Sequence, residues 1–232
     1  MSQDKSPLQA LYPFLHAEKK NAVSENSALL ESIQQKAQHS IEVKQAFFAQ
    51  NAALLVDAAQ AIAEVYRQQG RLFTMGNGGS SCDAAHLAVE FQHPVTTGRP
   101  ALPAINLCMD TAMMSAVSND IGVQYVFSRQ INAHCRTGDA LVAFSTSGNS
   151  ANLIQGLRKA RERNMITLGF VGGDGGEMKS SGLLDYCLLV TTDSIHRVQE
   201  VHVTCYHILW DLVHTLLADQ RGFLSPKQEK NE

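Results

Sequence analysis

Two loops rich in glycine and hydroxyl side chains are the first places in this 232-residue chain where the residue types suggest chemistry. Residues 76–81 read Gly-Asn-Gly-Gly-Ser-Ser, and residues 145–150 read Ser-Thr-Ser-Gly-Asn-Ser. Each loop lies between an apolar run and a helix-like stretch. Glycines allow close approach of the backbone to a ligand, and the free N–H groups at a helix start attract anions.

The second loop offers hydroxyl donors without a positive charge, which suits a phosphate monoester held by neutral hydrogen bonds and the helix dipole. The first loop is neither a GxGxxG motif nor a P-loop, and Ser80 or Ser81 can cap the helix that follows it. We interpret the two loops together as a phosphate site, with structural turns as the alternative. A third glycine cluster, residues 172–176, is interpreted as a tight turn because it has few side-chain donors.

Titratable side chains form a second pattern. His86 and Glu90 are four residues apart on the helix predicted after the first loop, which places them on one face. Gln199 and His207 are eight apart near the end of the chain and face roughly the same way. These four ligand types suit zinc. Spacing alone does not bring the two helices together, and ordinary packing contacts remain the alternative.

The secondary structure expected around these residues is a helical segment followed by an alternation of strands and helices. No Pro or Gly interrupts Ser27–Gln69, which predicts one or two long helices ending near Gly70. Apolar runs then predict strands, and the stretches between them predict helices. The strands are 72–75, 104–108, 140–144, 166–171 and 186–190, and the helices are 81–92, 111–118, 123–134, 151–163 and 195–219.

This alternation is typical of an α/β fold, a parallel sheet covered by helices on both faces, in which ligands bind at the carboxyl ends of the strands. We expect a polar N-terminal arm (1–25), one domain (26–224) and a polar tail (225–232). Within the domain, residues 26–70 are expected to be helical and residues 71–220 to form the α/β core.

Composition excludes several classes of protein. Lys and Arg total 19 and Asp and Glu total 22, a net charge of −3, which argues against nucleic-acid or anionic-membrane partners. No run of 18 apolar residues predicts a membrane span, and the N-terminus does not resemble a secretion signal. The five scattered cysteines suit reduced thiols, so a cytoplasmic location is expected.

The motifs together resemble the bacterial phosphoheptose isomerases, which belong to the sugar isomerase (SIS) superfamily. The resemblance covers roughly residues 40–220, and its motifs are the two loops, His86 and Glu90, and the string Arg197-Val198-Gln199-Glu200 followed by His202. It implies a three-layer sandwich with a five-stranded parallel sheet, and a homotetramer with active sites between subunits. The implied reaction is isomerisation of sedoheptulose 7-phosphate to D-glycero-D-manno-heptose 7-phosphate, which leads to ADP-heptose and the lipopolysaccharide core.

The resemblance also assigns residues to roles. Glu90 would be the base at carbon and His207 its acid/base partner. One zinc ion per subunit would be held by His86, Glu90, Gln199 and His207. Substrate would contact Asn77, Gly78, Gly79, Ser80, Glu90, Asn119, Asp120 and Gln199. Its phosphate would contact Ser145, Thr146, Ser147 and Ser150.

One segment departs from the family pattern. Residues 91–99 replace an arginine-rich stretch, and only Arg99 matches a family arginine. This departure permits an isomerase of another phosphosugar. A non-catalytic SIS adaptor that binds the replication initiator is a further alternative, although that branch does not retain equivalents of Glu90 and His207. The last alternative is a regulator that senses a sugar phosphate, but no helix-turn-helix pattern in the sequence supports it.

Overall fold

The structure is a computed structural model that describes residues 22–218, with side chains described from Asn26 onward. Most of the predicted polar arm and all of the predicted tail lie outside the described residues. The described chain consists of two units, residues 22–41 and the residues from Glu42 onward. Both predicted arm and tail boundaries therefore stay predictions.

A single helix, α1 (Ala22–Arg67), occupies the segment predicted to be helical. From Phe47 onward its buried residues recur every three or four positions, including Leu55, Ala58 and Ile62, so that one stripe of the helix packs into the core. The helix ends where Gln69 adopts a positive φ of 61° and the Gly70 N–H donates to the Val65 carbonyl.

The same helix is the one described segment long and apolar enough to be considered for a membrane span. An 18-residue window within Asn26–Arg67 reaches a mean hydropathy of 1.2, and 39% of that window is buried in the protein. Core helices of water-soluble proteins meet the same criteria of length and composition, so the finding is weak support for a span.

The predicted parallel sheet is confirmed, with five strands in the order β2-β1-β3-β4-β5 and every neighbouring pair parallel. The strands are β1 (Leu72–Gly76), β2 (Ala104–Asn106), β3 (Ala140–Ser145), β4 (Ile166–Gly172) and β5 (Tyr186–Val190). The strand order reverses direction at β1 and β3, which are the strands that end in the two polar loops. Such a switch point opens a crevice at the carboxyl ends of the strands.

The helices that follow α1 agree with the sequence pattern apart from two local differences. They are α2 (Gly79–Gln92), α3 (Thr111–Asp120), α4 (Val126–His134), α5 (Ala151–Glu162), α6 (Gly176–Ser180) and α7 (Ile195–Ala218). The predicted helix 123–134 begins as a separate 3₁₀ turn, Val123–Tyr125. The short α6 was not predicted, since the glycine cluster before it indicated only a turn.

Two apolar cores lie on opposite faces of the sheet, which makes three layers. Alternate β3 residues point to opposite sides, so Val142 and Phe144 join one core while Leu141 and Ala143 join the other. The first core packs against α1, α2 and α7, and the second against α3, α4 and α5. The helix layer made by α2 and α7 carries the titratable residues singled out in the sequence.

Candidate active site

A small polar cavity lies at the carboxyl ends of β1 and β3, where the fold predicts a ligand. Its volume is about 90 Å³, room for several water molecules or one compact polar group. The structure brings together six residues that the sequence singled out for substrate or phosphate, with Phe144 as the apolar wall. The six are Asn77, Ser80, Ser145, Thr146, Ser147 and Ser150. Their role in phosphate binding stays a prediction.

The serine loop, residues 145–150, is shaped by hydrogen bonds within the loop and by close contact with the loop after β4. The Gly148 N–H donates to Ser145 Oγ at 3.0 Å, and Gly148 has a φ of +67°. A Cβ at Gly148 would overlap the Gly175 carbonyl. Only glycine therefore fits this position without moving the loop.

The short helix α6 supports the serine loop from outside. The Glu177 N–H donates to Asn149 Oδ1 at 2.9 Å, and the Met178 N–H donates to the Gly148 carbonyl at 2.9 Å. Sequence reasoning missed this role, although the unusual density of glycine in residues 172–176 was the available signal. The glycine cluster at residues 172–176 is thus part of the scaffold that holds the serine loop.

The first loop is tied to the serine loop through a pair of amides. Asn77 and Asn152 exchange two hydrogen bonds of 2.9 and 2.8 Å, and Asn152 is buried in the first turn of α5. The serine cap of α2 that the sequence allowed does not form: Gly78 occupies the N-cap without a side-chain bond, and Ser81 Oγ donates back to the Gly78 carbonyl. The α2 N–H groups are therefore not capped by a serine side chain.

A cluster of three titratable side chains forms where α2 meets α7. One ligand atom each from His86, Glu90 and His207 lies within 4.8 Å of the others. His86 Nε2 is 3.2 Å from Glu90 Oε1, and the His86 and His207 rings are 5.0 Å apart, nearly edge to face. Helix packing thus supplies the juxtaposition that spacing alone left open, for three of the four predicted zinc ligands.

The donor set of this cluster fits a zinc ion. Two imidazole nitrogens and a carboxylate oxygen that converge at this distance are the ligands found in catalytic zinc sites, which keep a further position for substrate or water. Glu90 is mostly buried, whereas the His86 side chain is 43% exposed, so the cluster is open on one side. Burial and the nearby His86 ring lower the pKa of His207, which favours the neutral ring that a metal requires.

The fourth predicted ligand, Gln199, lies against the start of α2. A Cβ at Gly79 would overlap the Gln199 side-chain amide, so the glycine makes room for that amide. Gly79 precedes His86 by about two turns of helix. The structure therefore places Gln199 beside the glycine loop, and its part in holding a metal stays a prediction.

Two further buried residues contact this region and were missed from the sequence. The Tyr206 hydroxyl is 2.7 Å from His86 Nδ1, and burial, together with the nearby Asp83 and Glu90 charges, raises the pKa of Tyr206. Asp83 is buried in α2, and burial raises its pKa to about 6, opposed by His86. Asp83 is visible in the sequence only as a carboxylate one turn before His86.

The altered segment 91–99 contributes to the scaffold of the site. The Arg99 guanidinium lies 4.3 Å from the centre of the Trp210 ring and pairs with Asp211. The Trp210 indole N–H donates to the Glu90 carbonyl at 2.9 Å. Arg99 therefore braces α7 and the end of α2 through Trp210, which is the single tryptophan of the chain.

Asn119 and Asp120 form the last turn of α3. Both side chains are exposed, and Asn119 Nδ2 donates to Asp120 Oδ1 at 2.9 Å. They are not among the described residues that line the polar cavity. Their predicted contact with substrate stays a prediction.

The interpretation of His202 and His214 as core or surface residues agrees with their positions in the structure. Both are buried on α7. His202 packs against Phe144 and Phe170, and His214 stacks on Phe91. Neither belongs to the titratable cluster between α2 and α7.

Comparison with known proteins agrees with this fold. The SIS domain family model matches residues 37–172, which is more than half of the chain. A domain of this class is consistent with the parallel sheet and the polar switch-point loops described above.

Relatives of known name narrow the class. A phosphoheptose isomerase of Desulfovibrio desulfuricans is 40% identical over 201 residues, covering 87% of this chain and 95% of that protein. The structure of the enzyme from Neisseria gonorrhoeae superposes with a TM-score of 0.75 at 35% identity, covering 81% and 99% of the two chains. That from Francisella tularensis gives a TM-score of 0.77 at 29% identity, covering 80% and 98%. The chain belongs to the phosphoheptose isomerase family of SIS domain proteins.

Proposed function

We propose that this chain isomerises sedoheptulose 7-phosphate to D-glycero-D-manno-heptose 7-phosphate, for ADP-heptose and lipopolysaccharide core synthesis. The observation that carries the proposal is the cluster of His86, Glu90 and His207 in a chain 40% identical to a phosphoheptose isomerase over most of its length. The presence of Glu90 and His207 in the cluster argues against the alternative of a non-catalytic adaptor, because that branch does not retain equivalents of these two residues.

The serine loop is the proposed phosphate site. It combines the hydroxyls of Ser145, Thr146, Ser147 and Ser150 with the start of α5. None of the described residues that line this cavity carries a cationic side chain. Neutral donors and a helix N-terminus stabilise a dianion without a fixed counter-charge. Asn77, Gly78, Gly79 and Ser80 would meet the sugar on the adjoining side.

The reaction moves a proton between two neighbouring carbons through an enediol. A base must take the proton from the carbon beside the ketone and return it to the former carbonyl carbon, while a second group serves the oxygens. Glu90 is the proposed base at carbon, and His207, with its neutral ring favoured, is the proposed partner at oxygen. Their proximity in the cluster lets both reach one substrate fragment.

We propose one zinc ion per subunit, held by His86, Glu90 and His207 with Gln199 as the fourth ligand. Bound there, zinc would supply Lewis-acid stabilisation of negative charge that develops on substrate oxygen. The residues of the chain orient the sugar, hold the phosphate and move the protons.

We also propose a cytoplasmic homotetramer whose active sites lie between subunits. The apolar side chains of Val89 and Ile208, next to Glu90 and His207 in sequence, are exposed and would be covered by a neighbouring subunit. The scattered cysteines suit a reducing compartment. Light scattering should give about four times the chain mass of 25.3 kDa.

The decisive experiment measures aldose formation from sedoheptulose 7-phosphate by metal-free protein, by protein with added zinc, and by the zinc form after a chelator. Activity that appears with zinc and disappears with the chelator supports the reaction and the metal together. Zinc binding without turnover contradicts the substrate and directs attention to residues 91–99 and another phosphosugar. If the protein neither binds zinc nor turns over the substrate, the proposal is contradicted and the adaptor is favoured.

A further inference from the structure

Tyr206 joins the two helices that carry the candidate metal ligands. It stands directly before His207 on α7, is 1% exposed, and its hydroxyl oxygen lies 2.7 Å from His86 Nδ1 on α2. The two rings meet nearly edge to face at 5.5 Å. No residue role implied by the family motifs falls on Tyr206, so this contact is left unexplained by the proposed reaction.

The contact separates the two nitrogens of His86 by function. Nε2 faces Glu90 Oε1 at 3.2 Å, on the side of the cluster, while Nδ1 faces the Tyr206 hydroxyl. A neutral imidazole carries its proton on one nitrogen and a lone pair on the other. If Nε2 is to present its lone pair to an ion, Nδ1 must carry the proton and needs an acceptor.

We propose that Tyr206 is a positioning residue for the metal centre, whose hydroxyl oxygen accepts the Nδ1 proton of His86 and so directs the Nε2 lone pair towards the ion. This inference rests on the proposed function, because it presupposes the metal centre. Tyr206 does not touch the ion, and its effect reaches the site through the orientation and tautomer of His86.

Asp83 is a candidate acceptor for the Tyr206 hydroxyl, although no hydrogen bond joins the two side chains in the structure. When Tyr206 accepts from His86, its own O–H needs an acceptor, and Asp83 lies on α2 one turn before His86. Asp83 is 7% exposed, and its Oδ2 atom is buried with no hydrogen-bond partner in the described part of the chain. A buried carboxylate oxygen with unused acceptor capacity is costly unless a donor uses it. The Tyr206 O–H is a donor of the right kind in the same region.

A second buried tyrosine provides the matched control. Tyr66 on α1 is 2% exposed and packs its ring 5.6 Å from that of Phe91, on the same side of the sheet. Its hydroxyl has no hydrogen-bond partner within residues 22–218. Tyr66→Phe therefore removes a hydroxyl group from the same core, as Tyr206→Phe does, but leaves the contact with His86 intact.

The test measures the affinity of Zn²⁺ alone, by competition with a chromophoric chelator, for the full chain, Tyr206→Phe and Tyr66→Phe. Loss of an outer-sphere partner weakens metal binding by about 10- to 100-fold, and we expect this loss in Tyr206→Phe only. The KM for sugar phosphate should stay near that of the parent protein in both variants, because neither touches the serine loop. Circular dichroism checks that both variants are folded.

A second measurement does not depend on any variant folding. In the zinc-loaded parent protein, ¹⁵N spectra should show His86 protonated at Nδ1 and metal-bound through Nε2. Zinc bound through Nδ1, or parent-like zinc affinity in Tyr206→Phe, would overturn the role of Tyr206 and leave the metal centre standing. Failure of the parent protein to bind zinc would overturn the metal centre and this inference with it.

Discussion

The serine loop takes its polar atoms from six consecutive residues, whereas the His86–Glu90–His207 cluster draws on two helices far apart in the sequence. The loop offers neutral hydroxyls around a fixed backbone. The cluster offers groups that titrate and can bind a metal. This difference assigns separate tasks: the loop should govern how tightly the phosphosugar binds, and the cluster should govern how fast it reacts.

The strongest test of this division is Glu90→Gln. The amide keeps the size of the side chain but cannot accept a carbon proton, so we expect the kcat for sedoheptulose 7-phosphate to fall by about 10³-fold. KM should change far less than kcat, since the contacts between the serine loop and the phosphate are untouched. Steady-state kinetics with zinc present measures both constants, and His207→Ala should show the same pattern.

Matched surface variants serve as controls for these two changes. Glu162→Gln alters a glutamate exposed on α5, and His134→Ala alters a histidine exposed at the end of α4. Both should turn over substrate like the parent protein. Parent-like kcat in Glu90→Gln, or a rise in KM with kcat unchanged, would contradict the assignment of chemistry to the cluster.

The contrast between the two regions also explains what could be predicted from the sequence. The serine loop was recognisable because its residues are contiguous and follow a buried strand, and a parallel sheet fixes the edge at which such loops gather. His86 and Glu90 were recognisable as a pair through helical spacing. That His207 meets them depends on how α2 packs on α7, which only the family resemblance anticipated.

Other features could not be predicted because they arise from contacts between distant segments. The fit of Gly148 against Gly175, the stacking of Arg99 on Trp210 and the bond from Tyr206 to His86 leave no local pattern in the sequence. The absence of a serine cap on α2 has a local cause instead. A glycine N-cap and a back-directed Ser81 hydroxyl take the place of that cap.

A change in the scaffold of the serine loop should produce the opposite kinetic result. Gly148→Ala places a methyl group against the Gly175 carbonyl at a φ of +67°, and such strained positions cost about 1–3 kcal/mol. The loop must shift, so we expect KM for the phosphosugar to rise by roughly 30-fold, equivalent to about 2 kcal/mol. Zinc affinity should remain that of the parent protein.

Gly173→Ala separates displacement of the loop from backbone strain. Gly173 has almost the same φ, +66°, but a Cβ there meets no atom within 4 Å. This variant should lose some thermal stability and keep its KM. If Gly148→Ala raised KM no more than Gly173→Ala does, or if it weakened zinc binding equally, the two regions would not be separable as proposed.

Histidines on α7 extend the comparison within one helix. His207 lies in the cluster, whereas His202 is fully buried and packs against Phe144 and Phe170 beneath the serine loop. Burial lowers the pKa of His202 to about 3 from an ordinary 6.5. His202 should therefore act on folding stability and have no part in turnover.

The pH dependence of stability tests this difference. Because the folded state keeps His202 neutral while the unfolded chain takes up a proton below pH 6.5, its contribution is fully present above that pH and declines as the pH falls towards 3. At pH 5.5 this loss amounts to about 1 kcal/mol. The free energy of unfolding is measured with denaturant at pH 8 and at pH 5.5. Between these two pH values, His202→Leu should lose less stability than the parent protein, by that amount. The control variant His134→Ala should lose as much as the parent protein. An unchanged pH difference in His202→Leu would mean that the buried ring is not held neutral by the sheet.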